Sequence, residues 1–265
     1  MVAEVFVRRS GTGSPIVLMH GLFGAGGNLG AVARALQGTF TVYSLDLPGH
    51  GRSRWQPRLD LPGMADAVTR WMEGEGLARA HVLGHSLGGK VAMQLALQDP
   101  ARVESLIVGD IAPVAYPGQH DRVFAALDAV ATGRCKSRDE AAVILSRFLH
   151  EDAVVQFLLA SLQRDDDGDY HWRFDLAGLR AAYPALLAAP QGGRSYGGPV
   201  LFIKGGASEY IRERDWPAVQ AFFPRASLEV MPDCGHWLHA QDPQVFNTIV
   251  LRFLAPLEQR KLATG

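Results

Sequence analysis

"RAHVLGHSLGG", residues 79–89, joins an apolar run to a glycine-rich turn, and the helical stripe Leu87, Val91 and Leu95 follows at once. Ser86 stands at that turn, with Gly84 two residues before it and Gly88 two after. This is G-x-S-x-G in the order strand, sharp turn, helix, the context in which a nucleophile elbow displays a serine hydroxyl at the edge of a sheet. Glycines on either side avoid a Cβ clash where strand and helix nearly touch. A helix starting near Leu87 also sets its positive end below the hydroxyl, where developing negative charge is favoured. A plain tight turn would accept any small residue at position 86, so the rest of the chain has to decide between the two readings.

Around this stretch, short apolar runs alternate with segments of helical period. "PIVLMHG" (15–21), "FTVYSLDLPG" (40–49), "RAHVLGHS" (79–86), "ESLIVGD" (104–110), "PVLFIKGG" (199–206) and "ASLEVMP" (226–232) read as strands. Their near-continuous apolar character fits central parallel strands covered on both faces. Met64, Val68, Trp71 and Met72 form one helical stripe between strands. Asp242 as N-cap and Pro243 at the first helical position open a last helix, with the stripe Val245, Phe246, Ile249, Phe253 and Leu254. Such alternation predicts an α/β fold with a mostly parallel sheet.

The rhythm breaks once. Residues 113–198 show no strand pattern and read as several helices in "HDRVFAALDAVA", "SRDEAAVILSRFLH", "EDAVVQFLLASLQ" and "FDLAGLRAAYPALLA". The expected organisation is a core of residues 1–112 and 199–265 with an all-helical cap, 113–198, inserted late in the sheet. Ligands of open α/β sheets bind outside the carboxyl ends of the strands, so a cap there would enclose a site.

A serine nucleophile needs a base. "MPDCGHWLHAQDP" (231–243) lies between the last strand and the last helix, where a triad histidine falls in the chain order Ser, acid, His. His236 follows Gly235, which lets the loop turn towards Ser86. His239 is expected to cap or pack. His20, His50, His81 and His85 read as structural, although His20 could line the site. For the carboxylate that orients the base, Asp110 and Glu209 both qualify. Asp110 follows its strand directly, so its direction is fixed by the strand end, and it is preferred; Glu209 sits in the looser "KGGASEY". The expected oxyanion donors are the backbone N–H groups of Leu87, next to the nucleophile, and of Leu22 in "HGLFG".

Bulk properties exclude several classes. With 26 Lys and Arg against 27 Asp and Glu, the formal net charge is −1, and there is no basic footprint for nucleic acid. Two cysteines, Cys135 and Cys234, are too few for a disulfide framework. No apolar stretch reaches the roughly 18 residues of a membrane span. The opening "MVAEVFVRRSGTG" shows no signal-peptide pattern, so a cytoplasmic protein is expected. "GAGGNLG" (24–30) with Asp46 imitates a dinucleotide fingerprint, but "HGLF" separates it from its strand. "RDDDGDY" (164–170) imitates a calcium loop, but aligning its glycine leaves Gln163 and Phe174 at the end positions, so it reads as a solvated turn.

Taken in order, "HGLFG", "DLPGHGRS", "GHSLGG", "DIAP" and "GHWLHA" resemble the α/β-hydrolase superfamily from about Pro15 to Leu257. In detail, "HGLFGAGGNLG", "DIAPVAYPGQH" and "KGGASEYI" resemble the small bacterial YbfF-type esterases and a related mitochondrial hydrolase group. The resemblance implies the α/β-hydrolase fold, a triad of Ser86, His236 and Asp110, and a helical cap. It also implies no metal or other cofactor, and small-molecule ester or acyl-thioester substrates. Relatives that dehalogenate or open epoxides use an aspartate where this chain has Ser86. The alternatives that keep these residues are a C–C hydrolase, an acyltransferase, or a receptor-like protein of low turnover. Oligomeric state cannot be read from these patterns.

Overall fold

Five of the six near-continuous apolar runs become the middle of a sheet because each of their faces meets a helix layer; the sixth, 226–232, forms an edge strand instead, with Leu228 and Val230 exposed. The computed structural model describes residues 4–55, 59–193 and 195–264. Its first half holds β1 (Phe6–Ser10), β2 (Ser14–Met19), α1 (Gly30–Leu36), β3 (Phe40–Asp46), α2 (Leu61–Gly74), β4 (Ala80–His85), α3 (Leu87–Gln98) and β5 (Val103–Gly109). Next come α4 (Asp121–Thr132), α5 (Arg138–Leu145) and α6 (Asp152–Ala160), a hairpin of β6 (Leu162–Arg164) and β7 (Tyr170–Trp172), and α7 (Leu176–Leu187). The chain then returns with β8 (Val200–Gly205), α8 (Trp216–Phe222), β9 (Ala226–Met231), α9 (Leu238–Gln241) and α10 (Pro243–Thr264).

The large sheet has seven strands in the order β1-β3-β2-β4-β5-β8-β9. All neighbours are parallel except β1, which pairs antiparallel with β3 at the edge. Side chains alternate between two cores, as strand geometry requires. Ile16 and Leu18 face Val32 of α1 and Phe246 of α10, whereas Val17 and Met19 join Val68 of α2 and Val91 of α3 on the other face. From β2 the chain steps one way to β3 and then the other way to β4. The loops after β2 and β4 therefore diverge and leave a crevice at the carboxyl edge, where ligands bind in open α/β sheets.

Helix ends follow local chemistry. The Asp60 carboxylate accepts from Gly63 N–H (2.8 Å) to start α2, and Asp242 accepts from Val245 N–H (3.0 Å) to start α10. Val245 itself is 43% exposed, so it is not part of the buried stripe of α10; Phe246, Ile249 and Leu254 are.

Two further expectations need correction. The N-terminal strand β1 was not anticipated. The segment between β5 and β8 is not all-helical, because β6 and β7 interrupt it. "RDDDGDY" is the turn of that hairpin: Asp165 N–H donates to Asp169 C=O (2.9 Å), Gly168 takes φ 89°, and the Asp169 carboxylate pairs with Lys136. Arg194, also within 113–198, lies outside the described residues.

The glycines of the turn after β4 work by close approach. A Cβ on Gly84 would sit 2.1 Å from Gly88 O, and one on Gly88 would sit 2.2 Å from Met19 O. Both obstacles are backbone, which cannot swing aside. We therefore expect Gly88→Ala to lower unfolding stability by about 3 kcal/mol or more. Gly38→Ala, whose Cβ would meet nothing within 4 Å, should change it by less than about 0.5 kcal/mol. Urea unfolding midpoints of the two variants check this; equal midpoints would contradict it.

Candidate active site

Ser86 sits between the last residue of β4 and the first of α3 with φ 54° and ψ −118°, in sparsely populated space for a residue with a Cβ. Its backbone is tied on both sides: Ser86 N–H donates to Gly109 C=O (3.0 Å), and Lys90 N–H donates to Ser86 C=O (3.0 Å). Phe23, Asp110 and Arg134 are the other described non-glycine residues with positive φ. Three of the four thus lie at the carboxyl edge of the sheet, where strain is commonly held in place for function.

The structure brings Ser86, His236 and Asp110 into one hydrogen-bonded line. His236 Nδ1 lies 2.8 Å from Asp110 Oδ2, and Nε2 lies 3.0 Å from Ser86 Oγ. A carboxylate only accepts, so Nδ1 carries the proton and the Nε2 lone pair faces the serine hydroxyl. Asp110 is fully buried, and three donors satisfy it. Besides His236, these are Gly205 N–H on Oδ1 (3.0 Å) and the Ser208 hydroxyl on Oδ2. Glu209 is 82% exposed at its side chain and pairs with Arg212 rather than with His236.

Ser208 was missed in the sequence. In "KGGASEYI" the sequence draws attention to the carboxylate of Glu209, and the hydroxyl one residue earlier is what reaches Asp110. Tyr210 was missed as well. Its ring stacks on His236 with centroids 4.0 Å apart and 27° between planes.

The neighbouring histidines are held neutral and used as fixed hydrogen-bonding groups. Leu47 N–H donates to His20 Nε2 (3.0 Å), so His20 Nδ1–H donates to Gly21 C=O (2.7 Å). Gly24 N–H donates to the same carbonyl (3.1 Å). Fixing that carbonyl turns the Leu22 N–H the opposite way across the planar peptide. Gly21 packs against Ser86, because a Cβ built on it would lie 3.3 Å from Ser86 Cβ. His85 Nε2–H donates to His236 C=O (2.7 Å). Burial pushes His85 well below its ordinary value, with His239 and His236 adding to the effect. His239 packs between the rings of His85 and Phe246, and burial brings it down to about 4. His81 lies elsewhere, bonded to Ser105 and Glu258.

Asp46, the acid of the dinucleotide imitation, binds backbone instead. Its oxygens accept from Gly26 N–H (2.7 Å) and Arg52 N–H (2.9 Å), which fixes the two loops beside His20.

Over Ser86 lies a cavity of about 470 Å³, walled below by the loop after β2 and the start of α3, and above by the segment between β5 and β8. Leu22, Val154, Phe157, Leu158 and Leu186 make much of the wall apolar. At its base Lys90 is almost wholly buried, and its ammonium donates to the carbonyls of Leu187 (2.7 Å) and Ala188 (2.6 Å). Tyr116 N–H also donates to Leu187 C=O (3.0 Å), so one carbonyl joins both ends of the segment between β5 and β8 to α3.

A serine elbow at the carboxyl edge of a mostly parallel sheet, with a histidine and a buried aspartate converging on it, defines an α/β hydrolase. The chain belongs to the alpha/beta hydrolase family, whose model matches residues 16–249. It is 37% identical to esterase YbfF of Escherichia coli K12, over 91% of this chain and 93% of that protein. It is also 37% identical to the mouse sn-1-specific diacylglycerol lipase ABHD11, over 91% of this chain and 80% of that one. A solved marine microorganism esterase superposes with TM-score 0.92 at 34% identity, covering 95% of this chain and 99% of the other. Within the family the chain is an ester-hydrolysing enzyme of the YbfF type. Among the described residues, no helix is long and apolar enough to cross a membrane.

Lys90 yields a pH test. Burial lowers its ammonium to about 7, against an ordinary value of 10.5. Between those values the unfolded chain binds a proton that the folded one does not, so the lysine's contribution to stability rises with pH. Below pH 7 both states are protonated and the burial penalty is fully present. We expect wild-type stability relative to Lys90→Met to rise between pH 7 and 10, by up to about 1 kcal/mol per unit. Urea midpoints of both proteins across that range measure the change; a difference independent of pH would contradict it.

Proposed function

We propose that this enzyme cleaves carboxylic esters and acyl thioesters of small to medium acyl chains through a Ser-His-Asp triad and an acyl-enzyme. The observation that carries the reading is the hydrogen-bonded line from Ser86 through His236 to buried Asp110, opening on an apolar cavity of about 470 Å³. That volume lies in the usual range for small-molecule sites. In this reading residues 113–198 cap the site, and residues 1–112 and 199–265 form the hydrolase core.

The geometry supports the following steps. His236 Nε2 takes the proton of Ser86 Oγ as the oxygen attacks the substrate carbonyl, and a tetrahedral oxyanion forms. Asp110 holds the imidazole by Nδ1 and stabilises the imidazolium. Leu87 N–H at the start of α3 and Leu22 N–H, turned by the fixed Gly21 carbonyl, donate to the oxyanion. The carbon–oxygen or carbon–sulfur bond then breaks, and the alcohol or thiol leaves with the proton from His236. Water attacks the acyl-enzyme, giving its proton to His236; the second tetrahedral intermediate then collapses, the bond to Ser86 Oγ breaks, His236 returns the proton to that oxygen, and the carboxylic acid leaves.

The ester-cleaving names of the relatives support this chemistry, and the cavity volume of about 470 Å³ supports small to medium acyl groups. The test is steady-state hydrolysis of 4-nitrophenyl esters and acyl-CoA thioesters of graded chain length. Ser86→Ala should abolish turnover. Asp110→Asn should lower kcat by about 10³- to 10⁴-fold, because the wrong tautomer then faces the serine. Glu209→Gln should leave it unchanged. Full activity in Ser86→Ala, or equal losses in Asp110→Asn and Glu209→Gln, would contradict the assignment.

A further inference from the structure

His120 is a second imidazole of the catalytic cavity, and the proposed chemistry leaves it without a role. It precedes α4 in the inserted segment and lines the same cavity as Ser86 and His236. Its Nδ1 is hydrogen-bonded to the Tyr183 hydroxyl. Gln119 N–H donates to that same hydroxyl oxygen (3.3 Å), so the oxygen already accepts a proton from the backbone. The hydroxyl's own proton needs an acceptor, because Tyr183 is only 8% exposed and burial raises its pKa. His120 Nδ1 is the acceptor set against it.

This fixes the tautomer, with the His120 proton on Nε2. Among the described residues Nε2 has no protein partner. Among the described residues the sealed polar side-chain atoms that lack a partner are His239 Nδ1 and Asn247 Oδ1; Nε2 is not one of them, so it is accessible, and the accessible space His120 lines is the cavity. Burial, and the positive charge His236 would carry, both push His120 below its ordinary value, so it is a neutral donor at neutral pH. The ring is held edge-on to Phe23, with centroids 6.5 Å apart, and to Tyr183, at 5.4 Å. Phe23 itself lies in the loop that carries Leu22.

We propose that His120 Nε2–H is a substrate-binding donor that recognises a second acceptor oxygen, carried by the substrate beyond its scissile ester. The inference rests on the esterase reading above. Tyr183 is the positioning residue that sets the tautomer. The substrates favoured are oxygenated esters, with an ether, hydroxyl or carbonyl oxygen a few bonds from the reacting carbonyl. A purely aliphatic ester displaces water from this donor and returns no hydrogen bond, and that asymmetry is what lets a polar group in an apolar site discriminate.

The experiment compares two pairs of esters that differ by one oxygen in place of one methylene. On the acyl side these are 4-nitrophenyl methoxyacetate and 4-nitrophenyl butyrate; on the alcohol side, 2-methoxyethyl butyrate and butyl butyrate. In His120→Phe, kcat/KM for the oxygenated member of at least one pair should fall about 3- to 10-fold further than for its methylene partner. The pair that responds reports which side of the ester His120 faces. Tyr183→Phe should act in the same direction, because Nδ1 can then take the proton, and His120→Gln, which keeps an N–H donor, should partly restore discrimination. The methylene esters show whether each variant is folded and active. If both members of both pairs change by the same factor in His120→Phe and Tyr183→Phe, His120 is only packing and the inference is overturned. If the wild type hydrolyses none of the four esters, the esterase reading itself fails, a different outcome from loss of discrimination.

Discussion

A serine at φ 54° and ψ −118° does not stay there unaided, and the site depends on what holds it. Strand β4 ends against the start of α3 with only glycine at the points of contact. Gly84 meets the backbone of Gly88, and Gly88 meets the backbone of Met19 in β2. The same approach brings the loop after β2 against Ser86, so one packing constraint places both the hydroxyl and the peptide of Leu22. Asp110, itself at φ 48°, ends the next strand, and its N–H is anchored to Ile203 C=O (2.9 Å) of β8. Backbone strain at a few residues is held by the hydrogen bonds of the buried central strands β4, β5 and β8.

Around this frame, polar groups are buried in a way that keeps their charges off. His20, His50 and His85 are all pushed downward by burial, His50 to about 3. As neutral rings they donate and accept in fixed directions. His20 orients the Gly21 carbonyl, His50 accepts from Phe23 N–H (3.1 Å), and His85 holds the carbonyl of His236. His236 differs from these three rings in being hydrogen-bonded to an aspartate, and in the proposed mechanism it is the one that must cycle between neutral and charged. Burying the others neutral confines the proton chemistry to that ring.

The strands that build the crevice were legible because both of their faces are covered, which leaves an apolar run without polar interruption. Edge strand β1 was not, since "FVRRS" places Arg8 and Arg9 on exposed positions and gives no such run. The β6–β7 hairpin was hidden for a related reason: each strand is three residues long, and the turn between them is dense in aspartate. Ser86 and His236 could be found from local context, a turn of glycines and a loop before the last helix. Ser208, Tyr210, His120 and Tyr183 could not. Each matters through a partner distant in the chain, such as Asp110, 98 positions before Ser208, and no local pattern encodes that pairing. The exposed Val245 marks a similar limit, because helical spacing alone does not say where the apolar face ends.

The central claim is that Ser86 is an activated nucleophile. Reaction with an organophosphate ester, followed by peptide mass spectrometry, tests it without any assumption about the natural substrate. The account predicts a single phosphoryl adduct on Ser86, absent in Ser86→Ala and formed far more slowly in His236→Ala. An adduct on another residue, or no adduct while the enzyme goes on hydrolysing esters, would contradict it.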